Sequence, residues 1–189
     1  EIECGGETLA EGIAVKKPGS VTKPVVAQLV DDIILVTERQ LEWAVGALVE
    51  QQRVVSEGAG AAGIAAIYKY REVFEGKKVG VVTCGGNIDP RLLASILNRN
   101  MASDSRLARL RIDISDEPGM LAGITASISR CGGNIVEIYH QRLFYDVPAK
   151  LAKIDAVIET RGPDHVTEII DELRGASFQV RQMDDYSGS

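Results

Sequence analysis

Two cysteines, Cys84 and Cys131, each precede the same four residues, Gly-Gly-Asn-Ile. A neutral thiol is a weak hydrogen-bonding group without charge, and Gly and Asn suit tight turns because they tolerate positive φ. Cys84 follows an apolar run and precedes a helical pattern, whereas Cys131 follows a helical pattern and precedes a strand pattern. These opposite contexts exclude a duplicated domain, so each copy needs its own interpretation.

Metal chemistry is not indicated by the remaining thiol and imidazole groups. The third cysteine, Cys4, has no partner at metal-ligand spacing, and an odd, sparse cysteine count is typical of the reducing cytoplasm. His140 and His165 lie far apart in sequence without acidic or thiol neighbours at ligand spacing, so both are predicted to be surface or half-buried residues.

The net charge and the apolar content of the chain indicate which classes of binding partner are not expected. The 189 residues carry a net charge of -6, which argues against nucleic-acid and membrane-surface partners because both need a basic face. No apolar run reaches the roughly 18 residues that span a bilayer, and the first residues lack a signal-peptide pattern. We therefore expect a cytoplasmic protein, and the absence of an initial Met indicates a chain that begins inside a longer one.

The stretch GAGAAG at residues 58–63 matches the glycine fingerprint of dinucleotide-binding folds. That fingerprint requires a preceding strand and an acidic residue at the end of the next strand, but the preceding strand is very short and the next one ends in Cys84. The preferred interpretation is a helix whose small residues allow close packing, and dinucleotide binding is the alternative.

The first half alternates strand and helix patterns. Buried strands are predicted at residues 31–36 and 77–84, with a very short one near residue 53. Thr37 and Gln40 form a capping-box pattern before a helix, and Asp89 and Pro90 suit the start of another helix that runs to about Leu97. This alternation predicts an α/β unit.

A polar stretch without periodicity, residues 98–106, suggests a domain boundary near Ser103. Beyond it the order is β-α-β-β-α-β, with an alternating first strand at residues 109–114, a turn around Pro148 between two strands, and a helix that opens at Pro163. This order within about 80 residues is the ferredoxin-like split pattern. The domains are predicted to be 1–103 and 104–189.

Four stretches of the first half resemble, in order and spacing, the C-terminal part of the catalytic domain of pyridoxal-phosphate-dependent threonine/serine dehydratases, a fold-type II α/β architecture. They are residues 7–19, 29–38, 54–66 and 81–89. The resemblance implies that Cys84, followed by Gly85, lies beside the pyridine nitrogen, that Gly12 lies against the cofactor ring, and that Glu57 lies near its edge. For Glu57, a helix N-terminal carboxylate that interacts with backbone donors is an equal alternative.

A neutral thiol beside the ring would not hold a proton on its nitrogen, which suits elimination of a β-hydroxyl group better than transamination. The lysine that carries the family's Schiff base and its glycine-rich phosphate loop have no counterpart in these residues. The resemblance thus implies no catalytic residue in this chain alone, and we expect the C-terminal piece of a longer enzyme.

Residues 106–184 resemble an ACT domain, a small amino-acid-sensing module. The motifs are Asp-x-Pro-Gly-x-Leu at residues 116–121 and Gly-Asn-Ile at residues 133–135. The resemblance implies pairing of two copies with an amino acid between them, and the aliphatic lining favours isoleucine or valine. The predicted effector contacts are Glu117, Gly119, Met120, Leu121, Asn134 and Ile135. Alternatively, Pro118 and Gly119 only start a helix and Asn134 is only a left-handed turn residue.

Two functions therefore remain open. The first is the C-terminal segment of an allosterically regulated threonine dehydratase that converts threonine to 2-oxobutanoate and ammonia, a step of isoleucine biosynthesis. The second is a free-standing, non-catalytic regulatory protein that binds an amino acid.

Overall fold

The computed structural model describes residues 7–17, 19–141 and 151–183. The chain divides into two compact units, Glu1–Asn100 and Met101–Ser189. As a whole the chain combines α-helices with one four-stranded antiparallel sheet, which lies in the second unit.

The regular secondary structure described in the first unit consists of helices. Its helices are α1 (Thr22–Leu29), α2 (Glu38–Ala47), α3 (Gly58–Lys69), α4 (Arg71–Phe74) and α5 (Pro90–Ser103). The predicted capping box is confirmed: Oγ1 of Thr37 accepts from the Gln40 amide at 3.3 Å, and Oε1 of Gln40 accepts from the Thr37 amide at 2.9 Å. These two bonds satisfy backbone donors that the first turn of α2 would otherwise leave unpaired.

The core of the first unit forms where α2 and α3 pack together. Leu41 and Val45 of α2 lie one helical turn apart and are buried, and small alanines of α3 face them. Trp43 and Tyr68 stack beside this contact with ring centroids 3.9 Å apart. The buried set is Ala10, Leu41, Ala44, Val45, Leu48, Ala61, Ala65 and Ile96.

The buried strands predicted at residues 31–36 and 77–84, and the short one near residue 53, are wrong for this chain. The structure assigns no strand to the described residues of the first unit. Ile33, Leu35 and Val82 are 69%, 67% and 84% exposed. A strand needs a hydrogen-bonding neighbour and cover for its apolar side chains, and no described segment of this unit supplies them.

The helix that starts at Pro90 is longer than predicted. Oδ1 of Asp89 accepts from the Leu92 amide at 2.9 Å, which confirms the predicted N-cap, but the helix runs to Ser103 rather than Leu97. Its polar last turns are held on α2, where Nδ2 of Asn100 donates to the Glu42 carbonyl at 3.0 Å. These tertiary contacts extend the helix beyond its apolar pattern.

The second unit has the predicted ferredoxin-like order. Its elements are β1 (Leu107–Ser115), α6 (Met120–Arg130), β2 (Asn134–Gln141), β3 (Leu151–Glu159), α7 (Pro163–Gly175) and β4 (Gln179–Gln182). The strands lie in the order β2-β3-β1-β4, and each neighbouring pair is antiparallel. The turn predicted around Pro148 lies outside the described residues.

One face of this sheet packs against α6 and α7. Alternate residues of β1 and β3 are buried on this face, which confirms the alternation predicted for β1. The core comprises Ala108, Leu110, Ile112, Ile114, Ile124, Ile128, Ala152, Ile154, Ala156, Ile158, Val166, Ile169, Leu173 and Val180.

The opposite face carries a buried carboxylate. Asp155 of β3 is 1% exposed and accepts hydrogen bonds from Nε and Nη2 of Arg111, each at 2.7 Å, and from Nη2 of Arg109 at 2.8 Å. These hydrogen bonds, chiefly those from Arg111, hold the pKa of the Asp155 carboxyl below its ordinary value, although burial opposes this shift. The two arginines thereby join the central strands β1 and β3.

Candidate functional site

Three of the four predicted cofactor contacts converge at the start of α3. The Glu57 amide donates to the Gly85 carbonyl at 3.0 Å. A methyl group at Gly85 would lie 2.4 Å from Oε1 of Glu57, and one at Gly12 would lie 3.2 Å from the same atom. Gly85 also has φ +74°, which favours glycine. The Glu57 carboxylate therefore lies between two glycines that leave it room.

Cys84, the fourth predicted contact, is exposed beside the same helix. A methyl group at Gly60 would lie 2.0 Å from the Cys84 carbonyl oxygen, and one at Gly63 would lie 2.7 Å from Cγ1 of Val81. The glycines of residues 58–63 thus allow close packing of α3, as preferred from the sequence. The dinucleotide alternative fails because the structure places no strand in residues 53–57 or 78–83.

Glu57 does not behave as a conventional helix cap. It occupies the N-cap position of α3, but its side chain makes no capping hydrogen bond. The alternative in which its carboxylate interacts with the helix N-terminus therefore rests on the helix dipole and not on a capping hydrogen bond. Its position at the helix N-terminus still places it at the positive end of the helix dipole.

Glu38 is a positioning residue that the sequence did not single out. Its two carboxylate oxygens accept from Oγ1 of Thr8 at 2.6 Å and from the Leu9 amide at 2.8 Å. A methyl group at Gly58 would lie 2.3 Å from the Leu9 carbonyl oxygen, so α3 also touches this segment. The segment that carries Gly12 is in this way held against α2 and α3. An acidic residue directly after a capping threonine was the available signal.

In the second unit, the turn between α6 and β2 is tightly fixed. Gly132 has φ +79°, and the Gly133 amide donates to the Ile128 carbonyl at 3.1 Å. A methyl group at Gly133 would lie 2.9 Å from Cγ2 of Ile128 and 3.0 Å from Cδ1 of Ile169. The backbone therefore passes over the core at a spacing that suits glycine.

Asn134 follows this turn as the first residue of β2. It is exposed, and its Nδ2 donates to Oε2 of Glu159 at 3.0 Å. It has no positive φ, so its interpretation as a left-handed turn residue is wrong; Gly132 takes that conformation. Glu159 was missed by sequence reasoning, although it ends an alternating strand pattern.

The other predicted effector segment lies between β1 and α6. Gly119 has φ +94° and caps α6, and the Gly123 amide donates to its carbonyl at 3.0 Å. Leu121 is 37% exposed, whereas Met120 packs against the core. Glu117 and Pro118 are exposed.

The two effector segments lie at opposite ends of the sheet. Ser115, just before the first segment, pairs with Leu151, whereas Asn134 and Leu107 both pair with Glu159. Eight steps along β1 separate these ends by about 26 Å at ~3.3 Å per residue. One protomer therefore does not bring Glu117–Leu121 together with Asn134 and Ile135, because α6 returns the chain to the starting end of β1.

His165 is buried, contrary to the prediction of a surface or half-buried residue, whereas His140 is exposed. Nδ1 of His165 accepts a hydrogen bond from the Arg161 amide at 3.0 Å. The ring proton of His165 therefore sits on Nε2, which donates to the Cys131 carbonyl at 2.8 Å. The Cys131 thiol is half-buried, and burial together with Glu168 and Glu172 raises its pKa. The second Cys-Gly-Gly-Asn copy thus carries a neutral, structural thiol.

Two negative findings apply to the described residues alone. Within residues 7–17, 19–141 and 151–183, no group of three His, Cys, Asp or Glu side chains could hold a metal ion. Across the same ranges, none of the helices has the length and apolarity to cross a membrane.

Comparison with known proteins identifies one matching family and similar proteins from two bacteria. Residues 2–85 match the family described as pyridoxal-phosphate dependent enzyme. An L-threonine ammonia-lyase of Thermotoga maritima is 38% identical over 177 residues, covering 94% of this chain and 44% of that protein. One of Geobacter sulfurreducens is 36% identical over 173 residues, covering 92% and 43%. The chain spans less than half the length of these relatives.

Solved structures give local similarities. A serine racemase from Dictyostelium discoideum covers 45% of this chain and 28% of its own, with 32% identity and a TM-score of 0.41. The ACT domain from a GTP pyrophosphokinase of Chlorobium tepidum covers 41% of this chain and 96% of its own, with 28% identity and a TM-score of 0.34.

Proposed function

We propose that this chain, whose residues 2–85 match the family described as pyridoxal-phosphate dependent enzyme, is the C-terminal segment of a threonine ammonia-lyase that senses an amino acid. The observation that carries the proposal is similarity to L-threonine ammonia-lyases across 94% of the chain, and therefore across both units. The complete enzyme would convert threonine to 2-oxobutanoate and ammonia.

The start of α3 fits the family's cofactor. Gly12 and Gly85 present backbone without side chains beside the Glu57 carboxylate, and Cys84 is exposed next to them. Pyridoxal phosphate supplies an electron sink when bound. We assign Cys84 to the ring nitrogen, where an uncharged thiol does not hold a proton, and Gly12, Gly85 and Glu57 to the ring's surroundings. An uncharged partner favours elimination of the β-hydroxyl group over transamination.

This chain alone would not carry out the reaction. None of its lysines stands in the sequence context of the family's cofactor-binding lysine, and Lys69 is engaged by the Leu35 carbonyl, 2.8 Å from its Nζ. We therefore expect no covalent attachment of pyridoxal phosphate to the 189-residue chain. Borohydride reduction with the cofactor, followed by peptide mapping, tests this, and a stoichiometric adduct on one lysine would refute it.

The second unit would bind an aliphatic amino acid between two copies of the chain. Because Asn134 and the Glu117–Leu121 turn lie at opposite ends of one sheet, a single site can use both only if one copy supplies each. Asn134 is exposed and holds the Glu159 carboxylate, which can accept from an α-ammonium group. Amides after Pro118 can donate to the α-carboxylate. Pairing of the second unit would make the protein a homo-oligomer.

Titration calorimetry with the twenty amino acids tests this sensing function. Asn134→Ala should weaken binding by about 1.5–3 kcal/mol, or roughly tenfold to a hundredfold, because the Glu159 carboxylate that accepts from the charged α-ammonium group loses the amide that holds it. Asn98→Ala removes an exposed amide of α5 and should bind like wild type. Absence of binding at millimolar concentration, or equal binding by Asn134→Ala, would contradict the assigned site.

A further inference from the structure

The buried imidazole of His165 joins two turns of the second unit. Its Nε2 donates to the Cys131 carbonyl in the α6–β2 turn at 2.8 Å, and its Nδ1 accepts from the Arg161 amide in the β3–α7 turn at 3.0 Å. The side chain is 5% exposed. Both ring nitrogens therefore bind backbone, in a tautomer that leaves no choice of donor and acceptor.

The Cys131 carbonyl belongs to the end of α6, where backbone carbonyls lack partners in the helix. Three residues later the chain reaches Asn134, the exposed residue at the start of β2. Gly133 is packed against Ile128 and Ile169 between these points. The hydrogen bond from His165 therefore fixes one end of a short segment whose other end presents Asn134.

The β3–α7 turn gives His165 a rigid support. The Thr160 amide donates to the Arg106 carbonyl at 2.8 Å, and Oγ1 of Thr160 accepts from the Gly162 amide at 3.3 Å. Thr160 is itself buried. Displacement of His165 would therefore require the turn at residues 160–162 to change as well.

We propose that His165, with its proton on Nε2, is a positioning residue for amino-acid binding because it sets the place of Asn134. The proposal rests on the sensing function proposed above. Binding then depends on both hydrogen bonds of the ring, since Nε2 must donate to the Cys131 carbonyl while Nδ1 accepts from the Arg161 amide.

Charged side chains flank the contact on both sides. They are Arg130 on the α6 side and Arg161, Asp164, Glu168 and Glu172 on the α7 side. Arg130 pairs with Glu172 at 2.6 Å, and Arg161 pairs with Glu168 at 3.6 Å. Replacement of His165 by an uncharged amide removes neither partner of these two ion pairs.

Two matched variants of the full chain separate positioning from stability. In His165→Gln the amide nitrogen can replace Nε2 as donor to the Cys131 carbonyl, whereas in His165→Asn the amide oxygen can replace only Nδ1. We expect L-isoleucine or L-valine to bind His165→Gln within about threefold of wild type and His165→Asn roughly tenfold more weakly.

Nitrogen NMR of ¹⁵N-histidine-labelled chain provides a readout without any ligand. The Nε2–H tautomer should be present, and the amide signals of Gly132, Gly133 and Asn134 should shift from their wild-type positions more in His165→Asn than in His165→Gln. Equal affinities for the Gln and Asn variants, an Nδ1–H tautomer, or unshifted turn amides would overturn the inference. If wild type binds none of the twenty amino acids, the proposed sensing function fails, and the inference fails with it even if the NMR signals show the predicted tautomer.

Discussion

Replacing Asp155 by Asn removes a charge that two arginines share on the uncovered face of the sheet. The carboxylate accepts three hydrogen bonds of 2.7, 2.7 and 2.8 Å, and its side chain is 1% exposed. Loss of one partner from a buried ion pair costs about 3–5 kcal/mol because the remaining charge is left uncompensated. Arg109 is 34% exposed and Arg111 only 12%, so solvent relieves part of this cost. We therefore expect Asp155→Asn to lower the free energy of unfolding by about 3 kcal/mol.

The stability that is lost in Asp155→Asn should depend on pH in a defined direction. The pKa of Asp155 is lowered in the folded protein, chiefly by the Arg111 hydrogen bonds. Its charge therefore contributes stability above the unfolded-state pKa of about 3.9, and this contribution is lost as the pH falls through the lower folded-state pKa. The difference in stability between wild type and Asp155→Asn should shrink below about pH 4.

Hydrogen exchange resolved by peptide measures this effect in the second unit alone. At neutral pH, globally exchanging amides of β1 and β3 should exchange roughly 100-fold faster in Asp155→Asn, as about 3 kcal/mol predicts. Asp171→Asn removes a 69%-exposed carboxylate of α7 and should change exchange by less than about 0.5 kcal/mol. Similar exchange in the two variants, or a difference that grows on acidification, would refute the reasoning.

Three further substitutions test other parts of the molecule. Thr37→Ala removes the capping box of α2 and should lower the stability of the first unit by about 1 kcal/mol in urea unfolding followed by Trp43 fluorescence; an unchanged midpoint would contradict the cap's role. Gly133→Ala should lower the free energy of unfolding of the second unit by about 1–3 kcal/mol because the added methyl group overpacks the core. Amide hydrogen exchange of the second unit measures this loss, and wild-type protection would show that the core moves to accommodate the methyl group. In the complete enzyme, Cys84→Ala should lower turnover with cofactor still bound, and Cys84→Asp should raise transamination; wild-type kinetics in the Ala variant would make Cys84 a packing residue.

Local sequence patterns predicted the second unit well because its strands and helices supply hydrogen-bonding and packing partners to one another within the chain. The alternation of β1 matches a sheet with one covered face, and glycines end α6 where the pattern stops. The same reasoning failed at residues 31–36 and 77–84, where apolar runs indicate buried strands. A strand is completed by its neighbours, and the described residues of the first unit supply none.

In the candidate sites too, the sequence predicted local features but not which distant residues lie together. Gly12, Glu57 and Gly85 lie far apart in sequence, and the structure brings them together at the start of α3. The sequence placed the effector between two copies but did not say which copy supplies which motif, because motifs on either side of α6 do not reveal that the helix separates them by the length of the sheet. His165 was missed because a lone histidine in a helical pattern does not disclose which backbone groups its ring will bind.

The central claim is that this chain belongs to a longer pyridoxal-phosphate enzyme that acts on threonine. The most direct measurement is purification of the native protein through a tag after Ser189, followed by intact mass, cofactor absorbance and production of 2-oxobutanoate from threonine. The account predicts a protein roughly twice as long, with bound pyridoxal phosphate and ammonia-lyase activity. A native product of this length alone, without cofactor or activity on threonine or serine, would contradict it and favour a free-standing amino-acid-binding regulator.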